Sequence, residues 1–169
     1  VEIRDFSGTI TGGLGKDSIT SSSNRMITNS LIRGEAGDDI FKLGNITDSI
    51  INANSDDDYI SVSGSASNSQ FYGGRQKDTI IVATATNSLI RGDANDDKIT
   101  INDSIDATII NGNAGNDQIN INSSNVISSS VYGGQGSDNI EVRQIIFKNV
   151  ATPKDRLPFF IKLNKLIYL

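Results

Sequence analysis

The chain has 169 residues, no cysteine, no histidine and no tryptophan, and a formal net charge of −5. The missing residue types exclude disulfides, thiol nucleophiles, zinc sites of the usual ligand sets and histidine-based acid–base catalysis. With 36% hydrophobic residues and no long uninterrupted apolar run, the sequence has room for one domain with a thin core and for no membrane span.

From the N-terminus, VEIRDFS leads into the first organised unit, GTITGGLGKDSIT at residues 8–20, in which a glycine-rich polar turn ends in an aspartate. The design returns in chain order at LIRGEAGDDIFKL, IINANSDDDYISV, QFYGGRQKDTIIV, LIRGDANDDKITI, IINGNAGNDQINI and SVYGGQGSDNIEV. The turns end at Asp17, Asp39, Asp58, Asp78, Asp97, Asp117 and Asp138, spaced by 22, 19, 20, 19, 20 and 21 residues. A period of this size marks a repeat architecture.

After each aspartate comes a short strand. Two residues on stand Ile19, Phe41, Ile60, Ile80, Ile99, Ile119 and Ile140, and four residues on stand Ser21, Leu43, Val62, Val82, Ile101, Ile121 and Val142. The residues between them are mostly polar, a period of two that places successive side chains on opposite faces. A second strand precedes the turn, with Ile10, Ile32, Ile51, Phe71, Ile90, Ile110 and Val131 seven residues before the aspartate. Two residues earlier still lie Gly8, Ser30, Ser49, Ser69, Ser88, Thr108 and Ser129. Strand, glycine-rich turn, strand and polar turn make one coil, and like residues of adjacent coils stack about 4.7 to 4.9 Å apart. The expected fold is all-β: a parallel β-solenoid, of the β-roll or β-helix kind, of about seven coils over residues 1–142. Each stacked isoleucine or valine contributes about 1.5 to 3 kcal/mol on full burial.

Glycine or a tolerant residue recurs at Gly12, Gly34, Ala53, Gly73, Gly92, Gly112 and Gly133, and again at Gly15, Gly37, Asp56, Gln76, Asn95, Gly115 and Gly136. Both columns read as turn positions needing positive φ, where Ala53 and Gln76 fit least well. The unbroken aspartate column needs a reason of its own. One reason is an Asx-type turn, in which the carboxylate accepts nearby backbone N–H groups and no ligand is involved. Against it, carboxylates stacked about 5 Å apart repel by about 1 kcal/mol per pair at a water-like dielectric and about 3 at an effective dielectric near 20. Further acids at Glu35, Asp38, Asp56, Asp57, Asp93 and Asp96 aggravate the repulsion. A hard cation that takes six to eight oxygens, calcium, answers it.

The segments GGLGKDSIT, GGRQKDTII, GNAGNDQIN and GGQGSDNIE resemble the hemolysin-type calcium-binding nonapeptide of RTX proteins, Gly-Gly-x-Gly-x-Asp followed by a large apolar residue. The resemblance covers residues 8–142. It implies calcium ions held between stacked turns by aspartate carboxylates and by backbone carbonyls of the glycine-rich loops. The implied ligands are Asp17, Asp39, Asp58, Asp78, Asp97, Asp117 and Asp138, the neighbouring Asp38, Asp57 and Asp96, and Gly34, Gly37, Gly92, Gly112, Gly115, Gly133 and Gly136. It also implies a secreted protein ordered by extracellular calcium. Two departures stand out. Only one half of each coil of about 20 residues carries the motif, so one flank is expected to bind calcium and the opposite flank not. Lys16, Lys77 and Arg75 intrude beside the turns, where an ammonium can replace a calcium, so the sites touching Asp17 and Asp78 are expected to be the weaker ones.

Charge divides the chain. Residues 1–142 hold 9 Lys+Arg against 19 Asp+Glu, whereas residues 143–169 hold 6 against 1. An acidic solenoid repels phosphates, so nucleic acid is not an expected partner. The basic, apolar tail, RQIIFKNVATPKDRLPFFIKLNKLIYL, reads as a cap over the last coil, as a partner-binding segment, or as an uncleaved export signal. Val1 is no initiator methionine and no charged-then-apolar leader follows it, so a fragment or processed product is expected. The N-terminal face then reads as an open edge, to be covered by upstream sequence or by a second copy in a homo-oligomer or filament. The functional expectation is a calcium-binding structural or spacer module of an exported, extracellular or cell-surface protein, adhesin or assembly, and not an enzyme. The alternative is an accessory module of a secreted carbohydrate-active enzyme. An ice-binding face would need a uniform outward ladder, which Lys42, Ile81 and Glu141 interrupt.

Overall fold

A computed structural model describes residues 1–123 and 125–142; the reading of residues 143–169 as a cap lies outside the described residues. Among the described residues there are strands and no helix. The strand pairs among the described residues are parallel, and they form two sheets. The strands that precede the turns, from Thr9–Leu14 through Leu31–Ala36, Ile50–Ser55, Gln70–Arg75, Leu89–Ala94 and Ile109–Ala114 to Ser130–Gln135, build a seven-stranded sheet. Those that follow the aspartates belong to an eleven-stranded sheet. The molecule is a parallel β-solenoid of about seven turns, as the spacing predicts.

Register follows the repeat. Ile51 pairs with Ile32 on one side and Phe71 on the other, and Ile80 pairs with Ile60 and Ile99. A one-residue slip would turn each strand's isoleucines outward, so the burial pattern itself fixes the stacking. Phe41, Phe71 and the isoleucines of both columns are fully buried across the central coils.

A third core column lies outside the frame counted from the preceding aspartate: Ile27, Ile46, Ala66, Ala85, Ile105 and Val126, all buried. Each stands twelve residues before the following aspartate, whereas its distance from the preceding one varies. The variation in repeat length is therefore confined to the stretch between the second sheet strand and this column. The long strands Tyr59–Ser67, Thr79–Thr86 and Lys98–Asp106 cross that stretch with a register shift between Val82 and Thr84, a bulge that absorbs the unequal lengths.

At the N-terminal end, Glu2–Ile3 adds a strand beside Thr20 and Ser21, and Phe6 bridges to Ile27 and packs against the core. The first residues thus cover part of the first coil. Thr9–Leu14 pairs on one side only among the described residues, and Leu14 is 92% exposed.

Candidate metal centre

The turns between the two sheets bring the aspartates into one continuous line. The N–H of Asp17 donates to Oδ1 of Asp39 at 2.8 Å, and the same bond runs from Asp39 to Asp58, Asp58 to Asp78, Asp78 to Asp97, Asp97 to Asp117 and Asp117 to Asp138, at 2.7 to 3.0 Å. The carboxylate therefore does accept a backbone N–H, but from the coil before it rather than from its own turn. Coil spacing is the reason: the preceding coil's main chain lies within one hydrogen bond's reach of a short side chain.

That bond uses one carboxylate oxygen. The other, Oδ2 of Asp39, Asp58, Asp78, Asp97 and Asp117, is buried and has no hydrogen-bond partner. These residues are 1 to 3% exposed. Leaving a charged acceptor buried and unpaired is among the costlier arrangements in a folded protein. Burial accordingly pushes the Asp78 carboxyl up to about 8 and those of Asp58 and Asp97 up to about 7; the donated N–H opposes this and neighbouring carboxylates add to it. Asp39 and Asp117 are raised for the same reasons.

The glycine columns divide by role. Gly37, Asp56, Gln76, Asn95, Gly115 and Gly136 have positive φ, as expected, so Gln76 does take the left-handed conformation, at φ 70°. The column of Gly34, Gly92, Gly112 and Gly133 does not, which corrects the sequence reading. Its glycines make room for the carboxylate. A Cβ at Gly73 would lie 2.5 Å from Oδ2 of Asp78 and 2.7 Å from the carbonyl oxygen of Gly92, and Cβ atoms at Gly34, Gly92, Gly112 and Gly133 would likewise meet Oδ2 of Asp39, Asp97, Asp117 and Asp138. Positive φ instead recurs four residues before the aspartate, at Gly13, Glu35, Asn54, Gly74, Asp93, Asn113 and Gly134. The turns stack tightly: a Cβ at Gly37 would collide with the carbonyl of Gly15, one at Gly115 with that of Asn95, and one at Gly136 with that of Gly115.

A second, outer column borders the first. The N–H of Asp57 donates to Oδ1 of Asp38 at 3.3 Å, that of Lys77 to Asp57 at 3.0 Å, and that of Asn116 to Asp96 at 2.9 Å. Lys16 Nζ lies 2.5 Å from Oδ2 of Asp38, and Lys77 Nζ lies 3.4 Å from Oδ2 of Asp96. Lys16 holds the Asp38 carboxyl below its ordinary range; the Asn116 N–H and Lys77 do the same for Asp96. No three acidic side chains converge on one point among the described residues, so a cation in these turns would draw most of its ligands from main-chain carbonyls. The donor set is oxygen throughout, with an orphaned carboxylate oxygen in each of five coils. That is the chemistry of a hard divalent cation.

The family model of the RTX calcium-binding nonapeptide repeat matches the chain in four copies, with residues 102–122 matched. Over that stretch the chain is similar to RTX calcium-binding repeats. Neither the curated proteins nor the solved structures give a match. The matched stretch holds Gly112, Gly115 and Asp117, and the matched repeat is a calcium-binding one.

The flank opposite the aspartate turns is built differently. Ser30, Ser49, Ser69, Ser88, Thr108 and Ser129 each donate Oγ–H to the carbonyl two residues back, at 2.7 to 2.9 Å. Each hydroxyl also accepts the N–H of its counterpart one coil earlier, at 3.0 to 3.3 Å. This ladder is complete without an ion. Its column was visible in the sequence; its role was not, because a serine two residues before an apolar position also reads as an ordinary turn residue.

Proposed function

We propose that the chain is a calcium-stabilised spacer module of an exported surface protein, adhesin or extracellular assembly. The observation that carries the reading is the line of five buried, unpartnered carboxylate oxygens along one flank of a rigid stack. Calcium bound at Asp17, Asp39, Asp58, Asp78, Asp97, Asp117 and Asp138, with Asp38, Asp57, Asp96 and the turn carbonyls, would neutralise that line. Extracellular modules bind calcium at about 10⁻⁴ to 10⁻³ M, which fits a protein that orders outside the cell. Residues 1–142 form the repeat unit in this reading, and residues 143–169 a cap or contact segment whose basic charge complements the acidic body of a second copy. Competition with a chromophoric chelator tests the binding, and a chain that leaves all calcium to the chelator contradicts it. Light scattering with and without residues 143–169 tests assembly; a monomer in both forms removes the filament.

A second reading, an accessory module of a carbohydrate-active enzyme, has one observation in its favour. An open cleft of about 710 Å³ on the outer face of the seven-stranded sheet is lined by Glu35, Asn52, Asn54, Tyr72, Arg75 and Asp93. Tyr72 is flanked by the Arg91 guanidinium, 5.9 Å from the ring centroid. An aromatic face beside carboxylates and amides suits sugar rings and hydroxyls. Oligosaccharide binding that Tyr72→Ala abolishes would favour it.

A further inference from the structure

The outer acids of the turns are not equivalent, and the difference lies in two lysines. Asp38 has both oxygens engaged, Oδ1 by the Asp57 N–H and Oδ2 by Lys16 Nζ. Asp96 is engaged in the same way, by the Asn116 N–H and by Lys77 Nζ. Lys77 spans two coils, since its own N–H donates back to Asp57 at 3.0 Å while its ammonium reaches forward to Asp96. Asp57 forms no salt bridge among the described residues, and Lys16, held by Asp38, senses its charge only as the weakest of its influences. It stands instead between Asp56 and Asp58, and Asp58 is 3% exposed with Oδ2 unpartnered.

Resting on the calcium-binding reading above, we infer that Lys16 and Lys77 are built-in countercations that grade calcium occupancy along the stack, and that the turn of Asp56, Asp57 and Asp58 is the tightest site. An incoming cation must displace an ammonium to use Asp38 or Asp96 fully, and at Asp57 it displaces none. The lysines thus weaken calcium binding at the two coils they reach forward to, those of Asp39 and Asp97, rather than chiefly at their own aspartates. Both lysine side chains are largely exposed, 75% for Lys16 and 65% for Lys77, so each pair competes modestly, by about two- to fivefold in affinity.

Isothermal titration calorimetry of the whole chain with calcium chloride at low ionic strength tests the inference in four proteins: wild type, Lys16→Gln, Lys77→Gln and Asp57→Asn. The lysine changes lie on exposed side chains and leave the core untouched. Each is expected to tighten the weaker class of sites about two- to fivefold and to leave the tightest class unchanged, with the gain shrinking at high salt. Asp57→Asn is expected to weaken the tightest class. Lysine variants that bind calcium as wild type does, or more weakly, overturn the inference while leaving the calcium reading intact. A wild-type chain that binds no calcium overturns the reading beneath it.

Discussion

The N–H of Asp58 donates to Oδ1 of Asp78 at 2.8 Å, while Oδ2 of the same Asp78 carboxylate is buried with no partner. One side chain therefore ties two coils together and leaves half of its acceptor capacity to a ligand. Replacing it by asparagine keeps Oδ1 and removes the charge. At pH 9, where the Asp78 carboxyl is ionised in the fold, Asp78→Asn should raise the stability of the calcium-free protein by about 1 to 3 kcal/mol, and reduce the further gain on adding calcium. Chemical denaturation with and without chelator reads both effects; a loss of calcium-free stability would contradict the assignment.

Asp97→Asn and Asp78→Asn should differ in their effect on calcium. Lys77 stands next to Asp78 in the chain, but its ammonium reaches Asp96 in the next coil, so the calcium-binding charge is already partly offset at Asp97 and not at Asp78. Calcium stoichiometry or affinity should therefore fall further in Asp78→Asn. A larger loss in Asp97→Asn would show that the lysine does not weaken the coil it reaches.

Without calcium, stability should fall as pH rises. The Asp58, Asp78 and Asp97 carboxyls titrate near 7 to 8 in the fold and near 4 in the unfolded chain, so between those values the folded state holds more protons. Their stabilising contribution is fully present below about pH 4 and is lost as pH rises through about 7 to 8. Melts in chelator at pH 5 and pH 8.5 should give the higher melting temperature at pH 5. Saturating calcium should narrow or reverse that order, because a bound cation favours the ionised form. A calcium-free melting temperature that rises across this range would contradict the buried ladder.

The serine and threonine ladder should behave in the opposite way, indifferent to calcium. Ser69→Ala strips the acceptor from the Ser49 N–H, 3.2 Å away, inside the molecule. The cost should be about 1 to 3 kcal/mol, equal with calcium and with chelator. Ser69→Thr should be tolerated, since Thr108 already fills the equivalent place with the same two bonds. A calcium-dependent penalty for Ser69→Ala would show that the two flanks are coupled.

The aspartate-anchored columns carry the fold because side-chain direction alternates along a strand, and the pairing of Phe71 with Ile51 and Ile90 follows directly from counting residues. The column of Ile46, Ala66 and Ala85 escaped that count because the bulge near Val82 breaks the frame between them and the preceding aspartate. Counted back from the following aspartate, the column is regular. The site was legible as a row of acids and glycines. Two features of it were not: that Gly73 and its equivalents yield space to a carboxylate rather than adopt positive φ, and that Lys77 reaches forward to Asp96. Both depend on contacts between coils, which a composition of single turns does not contain.

The most direct test of calcium as the missing countercharge is the thermal midpoint of the chain at pH 8, in chelator, in millimolar magnesium and in millimolar calcium. At a free concentration about tenfold above a Kd of about 10⁻⁴ M, each occupied site adds about 1.4 kcal/mol of stability. The Tm should therefore rise by several degrees or more in calcium, and by much less in magnesium, which demands octahedral geometry and sheds water reluctantly. A Tm that is the same in calcium and in chelator would contradict the account and leave the aspartates as hydrogen-bonding residues of the turn alone.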